Sequence, residues 1–169
     1  MNGGIEPEPD PKRLRLARNL RRVGVVALVA FLGLAVAGVF DPREDEVSAA
    51  GGDVELTVSH PDQVRGGLEA TLELQVSRDG GFATPVEISI TRDWLALFDL
   101  GSIDPQPDSE TGDDENLIWT FEPPPGDRLD VTINLTLRPA VRRGETARVA
   151  VLDGDAELAA AEFETGVVP

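Results

Sequence analysis

The sequence predicts an all-β domain, an antiparallel β-sandwich of about seven strands, preceded by one N-terminal transmembrane helix. Three observations carry this reading. Charge divides the 169 residues into three unlike pieces. One of those pieces is wholly apolar. The long remainder alternates apolar with polar residues at period two, punctuated by Gly, Pro and Asp.

Residues 1–22 carry six bases (Lys12, Arg13, Arg15, Arg18, Arg21, Arg22) against three acids (Glu6, Glu8, Asp10) and read as a short basic cytoplasmic tail. Residues 23–40, VGVVALVAFLGLAVAGVF, carry no charge. As a helix they would cover about 27 Å, close to the roughly 30 Å hydrocarbon core of a bilayer. In lipid the backbone must satisfy its own hydrogen bonds, so helix is expected despite the valines and glycines. Asp41-Pro42 ends it. Bases before the segment and acids after it keep the N-terminus cytoplasmic and send the rest outside, in the cell membrane of a single-pass protein. The basic tail also suits an anionic lipid surface, and Gly33 with Ala37 makes one small-xxx-small pair.

A cleaved signal peptide shares this pattern. Ala35-Val36-Ala37 offers a small-x-small cleavage triplet, which would release a secreted form. The triplet lies inside the apolar run, however, and the run exceeds the usual h-region of about 7–15 residues, which favours an uncleaved signal anchor. Arg21-Arg22 could begin a twin-arginine signal, but Gly24 stands where a hydrophobic residue is expected.

Residues 41–52, DPREDEVSAAGG, read as a flexible acidic linker, about 20 Å across as a coil. The exported domain follows at 53–169. Its strands are marked in order by Val54/Leu56/Val58, Leu68/Ala70/Leu72/Leu74/Val76, Val86/Ile88/Ile90 and Leu117/Trp119/Phe121. Then come Leu129/Val131/Ile133/Leu135/Leu137, Ala147/Val149/Val151 and a last strand near Leu158 to Thr165. Turns fall at Pro61-Asp62, Asp79-Gly80-Gly81, 123–127 and Arg143-Gly144, and Asp153-Gly154-Asp155 is short enough for a hairpin. About seven such strands suggest two packed sheets of immunoglobulin-like type, here without any cysteine to bridge them.

Residues 92–115, RDWLALFDLGSIDPQPDSETGDDE, break the rhythm. A loop longer than about 12–15 residues is commonly functional or disordered. Its first half is apolar and its second half acidic. Trp94 and Phe98 either fold over one end of the sandwich as a plug or stand exposed as partner anchors. Asp108, Glu110, Asp113, Asp114 and Glu115 would form the outward surface. Together these seven residues are the candidate interaction surface.

Chemistry is sparsely provided. Zero Cys excludes thiol nucleophiles, disulfides and thiolate metal sites, and there is no Tyr. The one imidazole, His60, is expected in a surface turn, and no G-x-S-x-G is present. A net charge of −16 argues against nucleic-acid binding. Calcium takes oxygen ligands, but neither the 108–115 acids nor Asp153 and Asp155 match an EF-hand spacing. Asn134-Leu135-Thr136 is a sequon that falls in mid-strand. Neither a catalytic residue, a cofactor nor a metal is expected.

Fourteen Arg against one Lys, with abundant Ala, Gly and Val, fits a high-GC coding sequence. The strings Gly80-Gly81-Phe82, Trp94-Leu95-Ala96-Leu97-Phe98-Asp99 and 121–127 (FEPPPGD) resemble those of uncharacterised single-pass membrane proteins of high-GC bacteria with an exported immunoglobulin-like domain. That resemblance covers most of the chain from about 53 onward and implies no activity. The expected function is a membrane-anchored, non-enzymatic extracytoplasmic module, an accessory or protein-interaction subunit of the cell envelope. Its partners would be the lipid bilayer, through 23–40, and another membrane or envelope protein. The alternative is a calcium-responsive structural envelope domain.

Overall fold

A computed structural model of the chain describes residues 44–154 and 156–168, with Val25 before them. The expected basic tail and, Val25 aside, the apolar segment 23–40 lie outside the described residues. Among the described residues no helix is long and apolar enough to cross a membrane.

The strands are β1 (Glu44–Gly51), β2 (Val54–Pro61), β3 (Gln63–Arg65), β4 (Glu69–Arg78), β5 (Val86–Thr91) and β6 (Phe98–Asp104). They continue as β7 (Ser109–Gly112), β8 (Asn116–Phe121), β9 (Arg128–Leu137), β10 (Thr146–Asp153), β11 (Ala156–Glu164) and β12 (Gly166–Val168). A single helical turn, α1 (Arg92–Leu95), lies between β5 and β6. One antiparallel sheet has the order β1-β2-β4-β9-β6, and a second has the order β11-β10-β5-β8-β7. A small parallel pair, β12-β3, closes one end.

The seven strands marked by alternation are β2, β4, β5, β8, β9, β10 and β11. Period-two patterning puts one face of each strand into the interior, and there the apolar residues meet. Leu56, Val58, Leu72, Leu74, Val76, Val131, Ile133 and Leu135 line the first sheet. Ile88, Ile90, Trp119, Phe121, Val149 and Val151 answer from the second. β10 and β11 pair as a hairpin as expected, with Asp153 paired to Ala156 and Gly154 at a positive φ of 60°.

Two stretches differ from expectation. Residues 44–51, assigned to the flexible linker 41–52, form edge strand β1, paired to β2 from Glu44↔Pro61 to Gly51↔Val54. The acids of this stretch hid a weak alternation in which Val47 and Ala49 pack against the core. At its end Gly51 passes so close to β11 that a Cβ would collide with the Leu158 carbonyl. This strand therefore closes one side of the sandwich.

The second stretch is 92–115. It contains two further edge strands, β6 on the first sheet and β7 on the second. The chain crosses from β5 to β6 through α1, then back to β7 through 105–108, so the excursion adds two crossings to those at β4–β5, β8–β9 and β9–β10.

Candidate functional site

The aromatic residues of 92–115 are interior. Trp94 is 0% exposed and Phe98 2%. As exposed anchors they are ruled out, and they do not contribute to an interaction surface. α1 swings Trp94 inward, and Phe98 begins β6 opposite Leu137. Their rings lie 4.7 Å apart, and Trp94 meets Phe163 edge-on at 5.4 Å. Phe163 in turn stacks on His60 at 4.2 Å.

His60 is thus buried, 5% exposed, rather than in a surface turn. It continues the inward parity of Val54, Leu56 and Val58 along β2. Its Nδ1 lies 3.4 Å from the Pro61 carbonyl. The four rings and the β3–β12 pair seal one end of the sandwich.

The acidic half is exposed. Every residue of β7 faces solvent, as do Asp108, Asp113, Asp114 and Glu115. They do not gather in one place. Asp108 donates its backbone N–H to Thr120 O and Asp113 donates to Asn116 O, the two ends of β8. Those points are four residue steps apart along β8, about 13 Å at 3.3 Å per step. The acids therefore form a line along one edge of the second sheet.

Within that line the residues divide by role. The Glu110 carboxylate accepts the indole N–H of buried Trp119 at 3.0 Å. The Asp113 carboxylate accepts from the backbone N–H groups of Asn116 and Glu115, at 2.7 and 2.8 Å. Those two bonds stabilise the charged form and hold its pKa below the usual aspartate value. The turn is tied further by Arg92, whose Nε donates to Asn116 O at 3.1 Å and whose backbone N–H donates to Glu115 O. Asp108, Asp114 and Glu115 are left with exposed side chains and no side-chain hydrogen bond among the described residues. Nor do three carboxylates or imidazoles there come together as metal ligands.

A second polar surface lies on the outer face of the first sheet. A shallow groove of about 270 Å³ is lined there by Glu46, Thr57, Ser59, Glu73, Gln75, Arg128 and Asp130, among others. Arg128 is already paired with Asp130 at 2.7 Å.

These features define a two-sheet antiparallel β-sandwich with an acidic edge. No family model and no curated protein matches the sequence. Among solved structures the chain is similar to the CARDB domain of a Pyrococcus furiosus protein in complex with di-metal ions. The TM-score is 0.46 at 17% identity, over 70% of this chain and 96% of that one. It is similar also to the cohesin module of a family 33 glycoside hydrolase from Clostridium perfringens. There the TM-score is 0.43 at 16% identity, over 70% and 97%. A cohesin solved with a dockerin, from Acetivibrio cellulolyticus, gives 0.42 at 13% identity, over 63% and 94%.

Proposed function

We propose that the chain is a membrane-anchored, non-enzymatic binding module of the cell envelope. Residues 23–40 hold it in the membrane, and the immunoglobulin-like sandwich outside binds another envelope protein. The observation that carries the binding half is the β7 edge. It is a fully exposed four-residue strand that ends the second sheet, so its outer side faces no strand among the described residues, and the free acids Asp108, Asp114 and Glu115 flank its two ends. A sheet edge of that kind accepts an extended segment by strand addition, and the acids favour a basic one.

The test uses the full-length chain in its own membrane. Asp108→Asn, Asp114→Asn and Glu115→Gln are combined, leaving Glu110 and Asp113 to hold the turn. Chemical crosslinking should lose a protein partner seen with the parent chain, while thermal stability stays unchanged. Retention of every crosslinked partner would remove the edge from consideration. Protease added to intact spheroplasts tests the topology: it should reach the domain, and a fully protected chain would refute export.

A further inference from the structure

The near end of the sandwich, defined as the end where β1 begins, carries a patch unlike the rest of this acidic protein. Glu44 pairs with Pro61, so this end also holds β3, the start of β4, the loop after β9, and β12. Leu68, at 56% exposure, is among the most exposed large apolar residues described. It lines a shallow groove of about 440 Å³ with Pro139, Val168, Gly66, Arg65 and Arg142.

The arginines distinguish this groove. Arg78 and Arg128, near the far end, are ion-paired with Asp53 and Asp130. Arg65, Arg142 and Arg143 make no ion pair among the described residues. Arg142 instead curls over its own loop, donating to the carbonyls of Pro139 and Val141. Its charge is therefore left unneutralised beside an apolar surface.

Chain length selects the occupant. Phe40 ends the apolar run and Glu44 begins β1, four residues later. Four residues span at most about 14 Å when fully extended. The headgroup layer on each side of the hydrocarbon is itself roughly 5–8 Å deep. With 23–40 in the bilayer, the point where β1 begins cannot lie far above the lipid surface.

We infer that the groove end, Leu68 with Arg65 and Arg142, rests on the anionic headgroup surface of the bilayer that holds 23–40. The apolar side chains meet the interface and the guanidiniums meet lipid phosphates. The same end bears the acidic turn Asp113–Glu115 along its β7 side. The domain therefore tilts, groove side down and acidic edge away, which leaves β7 open. This inference rests on the membrane-anchor reading above.

The chain has no cysteine, so single labels are clean. Full-length chain is placed in vesicles of phosphatidylglycerol and phosphatidylcholine that contain a nickel-chelating lipid as quencher. A fluorophore is attached at Ala140→Cys, beside the groove, or at Gln106→Cys, in the far-end loop. Quenching should be several-fold stronger at 140. It should fall toward the value at 106 when Arg65→Glu and Arg142→Glu are added, and also in vesicles of phosphatidylcholine alone. Flotation is run on every sample. Protein that floats but is quenched equally at both positions overturns the surface contact alone, as does quenching indifferent to the two arginine changes. Protein that does not float overturns the anchor, and this inference with it.

Discussion

The indole N–H of Trp94 donates to the hydroxyl of Thr165 at 3.2 Å, joining two fully buried residues seventy-one positions apart. The bond ties the β5–β6 crossover to the segment that connects β11 and β12. It satisfies the one polar atom that a buried tryptophan brings with it.

Trp94→Ala should therefore destabilise the domain by about 3–5 kcal/mol, the usual range for emptying a buried aromatic site. Phe98→Ala should fall in the same range. Chemical denaturation checks both. A change within about 0.5 kcal/mol for Trp94→Ala would contradict its burial.

Thr165→Val keeps the shape of the side chain and removes the acceptor. It should cost about 1–3 kcal/mol, because the indole N–H is left buried without a partner. The same measurement on Trp94→Phe with Thr165→Val should show less than the sum of the single losses.

Glu110→Ala should strand the Trp119 indole in the same way and loosen β7 from β8, at about 1–2 kcal/mol. Glu110→Gln, which can still accept from the indole, should retain most of the stability. Amide exchange at Thr111 and Ile118, which pair across β7 and β8, reports the loosening directly.

The Asp113 turn should be sensitive to acid. Its folded pKa lies below the unfolded value, so the carboxylate contributes in full above the unfolded pKa of about 3.9. The contribution is lost as pH falls through the lower folded pKa. Protection of the Glu115 and Asn116 amides, taken relative to their intrinsic exchange rates, should be high at pH 5 and fall below that point. In Asp113→Ala it should be low at both.

His60→Phe should be tolerated, since the ring stacks flat on Phe163. His60→Ala should lower stability by roughly 2 kcal/mol or more by opening the sealed end. Thermal melts of the two variants distinguish the packing role from an exposed position.

Seven strands were readable because each buries one face and exposes the other, as Leu129 to Leu137 do without interruption. β7 offers no such pattern, because all four of its residues face solvent. In β6 only Phe98 is fully buried, and the pairing slips between Leu100 and Ile103. Edge strands of this kind leave nothing for periodicity to detect. β1 was masked by its acids, with small Ala49 and Val47 as its inward residues. His60 and Thr165, by contrast, could have been found. His60 follows Val58 in step, and Thr165 follows Ala161 and Phe163 in step, so parity alone places both indoors. The acids of 108–115 were legible as exposed residues. That Glu110 and Asp113 are engaged in holding the edge together depends on partners in β8, which spacing along the chain does not reveal.

The parallel pairing of β3 with β12 joins residues 63–65 to residues 166–168. Strands that neighbour one another at the sealed end are thus made roughly a hundred residues apart. During synthesis β1, β2 and β4 can pair as soon as they emerge, since they are successive antiparallel neighbours. The end of the sandwich cannot close until Thr165 has reached Trp94 and Val167 has reached Val64. A ribosome stalled between Glu164 and Val168 would hold a chain with both five-stranded sheets drawn and its aromatic end incompletely closed. Completion of this end of the fold therefore waits on delivery of the chain through Val168.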